Sequence, residues 1–465
     1  MTHLPSPVSA PRISAALSFA FPPYTALQLS NGIKLIVAED RSQPLVSLSM
    51  VFKRGAASED VWGAANLMTS LLTKGTANSS LTRTAQDIAD AIDFTGGLLS
   101  ASSGFDSTSA SVSVLSEFLP TGLNLLTDVL LHPAFAPDEL ERLRQQTLVE
   151  VQQYLSDAAY LASVAFTQGM FHGTPYGHPV IGTVESVQAM QREDCMRIYK
   201  TIIGSGDVFI AAAGDVDAHQ LAAVLEQHFA AWPARLPSQT LRPSLTPEAP
   251  NTPSGPRVML IAKPDAAQTA IRVGFPTLHR TDDNFIALQF LNTILGGSFI
   301  SRLNHNLREQ KGYTYGIHSS IDAYQTMSVW ACRAHVGSEI VDDAVREILH
   351  EIELLRTAPI TDDELETTKK YLLGSFALRT ETPQQVVSLV SALEMFDLPA
   401  DYYERYFAEV AAMTKERLFE VQQRCFGAEG LVIAASGDVE HLRSKLRNFG
   451  AVSVVNTSGE IVSAV

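Results

Sequence analysis

Residues Val208–Leu221 read VFIAAAGDVDAHQL, and residues Leu431–Leu442 read LVIAASGDVEHL. Each is an apolar run suited to one buried strand, then a Gly-Asp turn, then the start of a helix. A single Gly-Asp turn after a strand says little. Two copies about 220 residues apart, each closing its half of the chain, indicate a tandem duplication. The halves also open alike: VSLSMVFKRGAASED (Val46–Asp60) and TAIRVGFPTLHRTDD (Thr269–Asp283) both run from strand through polar loop to helix. Between them lies PARLPSQTLRPSLTPEAPNTPSGP (Pro233–Pro256), a Pro-rich stretch without apolar periodicity that reads as an extended linker. The expectation is a domain over 22–235, a linker over 236–256, a second domain over 257–450, and a short polar tail after Ala451.

Within each half, strands and helices interleave. LQLSNGIKLIVAED (Leu27–Asp40) predicts a hairpin around Asn31-Gly32, and GLLSASSGFDSTSASVSVL (Gly97–Leu115) a half-exposed one. DELERLRQQTLVEVQQYLSD (Asp138–Asp157) places Leu140, Leu143, Leu148 and Val151 on one helical stripe. The fold class is therefore α+β: two homologous domains, each an antiparallel-rich sheet with helices packed on one face.

Composition narrows the function. The 465 residues are 46% hydrophobic and 18% charged, enough for two or three sizeable cores. A formal charge of −16 repels phosphate backbones and argues against a nucleic-acid partner. No run of 18 apolar residues suggests a membrane-spanning helix. Three distant cysteines, Cys195, Cys332 and Cys425, form neither a disulfide framework nor a zinc knuckle and read as small buried side chains. The first residues, Pro-, Ser- and Ala-rich with a short apolar patch over Ile13–Phe21, lack the charged start and long apolar core of a signal peptide.

The segment GAANLMTSLLTKGT (Gly63–Thr76) resembles the zinc-motif helix of the pitrilysin/insulinase and mitochondrial-processing-peptidase family. In that family the helix carries His-x-x-Glu-His, whose two imidazoles face one way to bind zinc while the Glu activates a water. A later helix adds a Glu ligand. The matching positions here hold Asn66, Thr69 and Ser70, with Glu150 where the third ligand falls. An amide and a hydroxyl do not compete with imidazole for zinc, and Thr69 is no base near neutral pH. The resemblance thus predicts no metal in this chain. His172 and His178 lie in FHGTPYGHPVIGT, which corresponds to a structural loop of the family, and His335 and His350 stand singly.

A second segment, LGGSFISRLNHNLREQKGYTYGIHSS (Leu295–Ser320), resembles the family's most recognisable C-terminal stretch. An Arg and a Tyr seven residues apart there contact substrate backbone and the developing oxyanion; Arg308 and Tyr315 match them. Arg302 reads as a structural cation on the helix surface. The resemblance runs in family order from Leu27 to about Asp438. It implies a non-catalytic subunit whose partner is a homologous zinc-binding chain, with zinc in the partner, peptides as substrates and Arg308 and Tyr315 completing the partner's site. The alternative is a non-enzymatic scaffold or peptide-binding homodimer. Relatives of this size suggest a periplasmic location, with a cytoplasmic one as the alternative.

Overall fold

The computed structural model describes residues 20–78, 81–230, 232 and 255–464. The expected linker therefore lies outside the described residues except at Gly255 and Pro256. Strands in the first half are β1 (Tyr24–Gln28), β2 (Lys34–Glu39), β3 (Leu45–Phe52), β4 (Gly75–Ala77), β5 (Thr82–Thr84), β6 (Leu98–Ser103), β7 (Thr108–Leu115) and β8 (Val208–Gly214). The second half has β9 (Arg257–Ala262), β10 (Thr269–Thr277), β11 (Ile317–Ala323), β12 (Ser328–Val336), β13 (Val432–Gly437), β14 (Ala451–Val455) and β15 (Ile461–Ala464). The hairpin read at Asn31-Gly32 is the β1–β2 pair, with Gly32 at φ 87°.

The duplication appears in the strand order. One sheet runs β1-β2-β8-β3-β7-β6 and the other β11-β12-β10-β13-β9-β14-β15, so β2-β8-β3-β7-β6 corresponds to β9-β13-β10-β12-β11. In each set the pair that includes the repeated strand, β2/β8 or β9/β13, is parallel. The other pairs in each set are antiparallel. These repeated strands, β8 and β13, are buried at every residue, which is why their sequences are continuous apolar runs without alternation. Beyond this common set the domains differ at one edge. Residues Ala451–Val455, expected as part of a polar tail, instead form β14 parallel to β9, and β15 pairs with β14. AVSVV has the β-branched content of a strand, and pairing it here covers what would otherwise be an exposed sheet edge.

One face of the first sheet packs on helices of its own half, through Leu48, Met50, Leu67, Leu71, Val112 and Leu126 among others. The structure adds a helix on the opposite face, and it comes from the other half. Pro383–Met395 lies across β2, β3 and β8, joining Val386, Val387 and Val390 to Ile36, Ala38, Phe209 and Ala211. Reciprocally, Ala158–Phe171 lies across β9, β10 and β13, packing Leu161, Ala165, Phe166 and Met170 on Met259, Ile261, Val432 and Ala434. Polar contacts lock both crossings: Ser436 Oγ donates to Ala158 O at 2.7 Å, and Lys53 Nζ donates to Glu394 O at 2.7 Å.

Close approach at the second crossing depends on glycine. A Cβ on Gly169 would lie 2.6 Å from Met259 Cγ and 2.7 Å from Val432 Cγ1. Gly374, on the helix Asp362–Ala377, has nothing within 4 Å of such an atom. Gly169→Val is expected to lower stability by about 1–3 kcal/mol through overpacking. Gly374→Ala should be neutral or raise it by up to about 1 kcal/mol through helix propensity. Urea midpoints of the two variants check this, and equal effects would refute the close-packed crossing.

Candidate active-site remnant and substrate-contact segment

The helix Ala64–Leu72 starts at Gly63, which at φ 90° takes a backbone conformation that suits glycine. Its first free amides are satisfied by a buried carboxylate: Glu59 accepts from Gly63 N and from Ala65 N, both at 2.8 Å. Asn66 is half-buried on this helix and Thr69 is buried. Thr69 Oγ1 donates to Asn66 O at 2.9 Å and lies 3.1 Å from Ala65 O, while Ser70 Oγ donates to Asn66 O at 3.0 Å. Both hydroxyl protons are thus turned back on the helix's own carbonyls. The helix packs against Pro137–Leu155, which carries Glu150, half-buried and accepting from Tyr154 Oη at 3.0 Å.

This donor set does not fit zinc. An amide, two hydroxyls engaged with backbone and one carboxylate offer no imidazole or thiolate, and neither the amide nor the hydroxyls can act as a base. Among the described residues, no cluster of three His, Cys, Asp or Glu side chains is arranged to hold a metal ion. The three cysteines are buried and unpaired.

Sequence reasoning missed a buried pair of titratable side chains beside this helix. His178 stacks on Trp62 with ring centroids 5.4 Å apart and 7° between planes, and its Nδ1 lies 3.6 Å from Glu59 Oε1. Burial pushes the Glu59 carboxyl up to about 7 and moves the His178 imidazole down from its ordinary value. The two residues are far apart in sequence, so no local spacing signals the contact.

The second segment is built around a buried amide. Asn304 Nδ2 donates to Ile317 O at 2.8 Å and Ser298 O at 3.2 Å, and its Oδ1 accepts from Ile317 N at 3.2 Å. That single side chain ties the Gly-Gly-Ser turn to the start of β11 and fixes the loop between them. Tyr315, on that loop, is 92% exposed. Arg308 sits in the wide helical turn Asn304–Gln310, its guanidinium 4.2 Å from the centroid of the exposed Phe299 ring. Arg302, by contrast, makes a two-pronged bond to Glu364 at 2.6 and 2.9 Å, a structural tie to the helix Asp362–Ala377. Tyr315 and Phe299 border a cleft of about 720 Å³ whose other wall is Tyr154, Tyr160 and Ser163, side chains of the first half. The degenerate motif and the Arg308–Tyr315 segment belong to separate halves.

Two family models match the chain in succession. Residues 34–184 match the insulinase (peptidase family M16) model, and residues 189–372 match the peptidase M16 inactive domain. An uncharacterized zinc protease of Mycobacterium tuberculosis is 30% identical over 406 residues, covering 84% of this chain and 89% of that one. Two solved structures share the fold. A peptidase M16 inactive domain from Pseudomonas fluorescens superposes with a TM-score of 0.79 at 22% identity, covering 89% of this chain and 98% of its own. A protease from Helicobacter pylori superposes with a TM-score of 0.81 at 19% identity, covering 90% and 100%.

The Glu59 carboxyl makes a pH prediction. Its folded pKa lies above the unfolded value of 4.5, so the folded state holds its proton more tightly, and stability falls as pH rises from about 4.5 to about 7. Glu59→Gln removes that dependence. Melting temperatures between pH 5 and pH 8 should therefore slope less steeply in the variant, and an unchanged slope would contradict the burial argument.

Proposed function

Because the chain belongs to the insulinase-type M16 peptidase family, its departures from the zinc motif decide its role, and we propose that it is the non-zinc-binding subunit of a two-chain zinc peptidase. The observation that carries this reading is the contrast between the two halves. The two motif positions that would hold metal carry Asn66 and Ser70 and the position of the base carries Thr69, with both hydroxyls turned inward to Asn66 O. Tyr315 is presented almost fully exposed on a loop fixed by the buried Asn304. Fixing an exposed tyrosine in this way has no folding benefit, since its ring buries nothing; it suits a group that waits for a ligand.

Arg308 and Tyr315 fit the chemistry of peptide-bond cleavage. A guanidinium, always protonated, donates to a substrate carbonyl and holds the peptide backbone in register. A tyrosine hydroxyl donates to the oxygen that gains negative charge as the carbonyl is attacked, without carrying charge itself. Phe299 lies against the Arg308 guanidinium and limits its rotamers, lowering the ordering entropy that substrate binding must overcome. The partner, a homologous chain with an intact His-x-x-Glu-His helix, supplies the metal and the base. This chain supplies substrate grip and half of the enclosing wall. Among the described residues no helix is long and apolar enough to cross a membrane.

Affinity purification from native extract should yield a chain of similar length bearing His-x-x-Glu-His in near-equal amount. In the reconstituted pair, Arg308→Ala and Tyr315→Phe should leave assembly intact by gel filtration and slow peptide turnover by about 10²–10³. Recovery of only a self-associated chain, or unchanged turnover in both variants, would favour a non-enzymatic scaffold instead.

A further inference from the structure

Each exchanged helix covers the inner strands of the sheet it crosses and leaves a groove between itself and the outer hairpin. In the first half this groove, about 600 Å³, lies between Pro383–Met395 and the β6–β7 hairpin. Its equivalent in the second half, about 720 Å³, lies between Ala158–Phe171 and the β11–β12 hairpin and opens beside Tyr315. The duplication makes the two grooves the same architecture. Their linings differ at matching places.

Register identifies those places. In the first groove Ser49 faces Ser111, and Ser111 faces Ser100. In the second, Arg272 faces Arg333, and Arg333 faces His318, with His335 two residues along the same face. The serine row satisfies itself: Ser111 Oγ donates to Ser49 Oγ at 2.8 Å. The cationic row does not. Arg272 is held by Asp322 at 2.9 Å and stacks 4.5 Å from the Phe166 centroid. Arg333 is exposed and has no ion pair among the described residues, and His318 and His335 are exposed beside it. Asp157, a carboxylate on the groove wall, accepts from Ala159 N at 2.8 Å at the start of its helix and makes no ion pair to Arg333 among the described residues.

Two guanidiniums directly opposite across a strand pair repel one another, and the single carboxylate of Asp322, paired with Arg272, leaves the row an anion short. Arg272 has structural partners in Asp322 and Phe166, but Arg333, His318 and His335 have none of that kind among the described residues, and serines serve the positions equivalent to Arg333 and His318. We infer that this groove is a carboxylate-binding subsite, with Arg333 as its fork and His318 and His335 as flanking donors, and that it receives the C-terminal carboxylate of an extended peptide. The inference rests on the peptide-binding reading of the Arg308–Tyr315 segment and adds the class of peptide. It is a local exception to the chain's charge of −16, which otherwise disfavours acidic ligands.

The test uses the isolated full-length chain and three fluorescein-labelled ten-residue peptides, read by anisotropy at about 50 mM salt. The first has no Asp or Glu and a free C-terminus, the second is its C-terminal amide, and the third is the amide with two Glu near its end. The free acid is expected to bind at least about tenfold more tightly than the amide, with the advantage shrinking as salt rises. Arg333→Gln should erase the preference, and Arg333→Lys, which keeps charge but not the fork, should retain part of it. If the Glu-bearing amide binds as tightly as the free acid, the subsite reads carboxylates from side chains as well, and the C-terminal assignment is overturned. Equal binding of acid and amide, or a preference that survives Arg333→Gln, overturns the subsite while leaving the two-chain peptidase reading intact. No binding of any peptide overturns the subsite too, and recovery of the zinc-bearing partner decides the other reading independently.

Discussion

Each sheet in this protein needs two covered faces, and neither half supplies both. An apolar sheet face left in water gives up roughly 25 cal/mol for every Å² it fails to bury. The uncovered face of the first sheet, with Ile36, Ala38, Phe209 and Ala211, is closed by Pro383–Met395. The matching face of the second, with Met259, Ile261, Val432 and Ala434, is closed by Ala158–Phe171. Because the exchange is reciprocal, removing either helix exposes a face on the other domain. The two halves therefore act as one body, with Gly169 setting how close they lie.

The two halves use the same frame differently. In the first, the helix at the zinc-motif position keeps its place in the core and its capped start, and its polar residues bond inward to their own backbone. It has become a packing element. In the second, the loop before β11 and the face of the β11–β12 hairpin project polar and aromatic groups outward: Tyr315, Phe299, Arg333 and His318. These exposed groups are concentrated beside the crossing of Ala158–Phe171. The first half contributes its wall there through Tyr154 and Tyr160, so the groove exists only because the helices are exchanged.

Much of this is readable from local sequence, and the rest is not, for identifiable reasons. Val208–Gly214 and Val432–Gly437 announce themselves because buried parallel strands must be apolar throughout. Asn66, Thr69, Ser70, Arg308 and Tyr315 could be placed because each sits at a fixed offset within one short segment. The Glu59–His178 contact has no such offset. The Arg272–Arg333–His318 row depends on register across three strands, two of which are separated in the chain from the third by the helical segments between Phe285 and Gln310. Ala451–Val455 looked like a tail because a five-residue strand at a sheet edge carries little periodicity of its own. The crossing helix did leave a trace: AAYLASVAFTQGMF is apolar on nearly every side, as a helix packed between two layers must be.

By itself, the sequence determined the duplicated α+β architecture, and it placed Asn66, Thr69 and Ser70 on one helix and Arg308 and Tyr315 seven residues apart, since each is written in residue types at short, fixed spacing. Tertiary structure alone decided which helix covers which sheet, how Glu59 meets His178, and that Arg272, Arg333 and His318 stand side by side beside Tyr315. Those outcomes come from long-range packing, in which burial of apolar area selects partners that lie far apart along the chain.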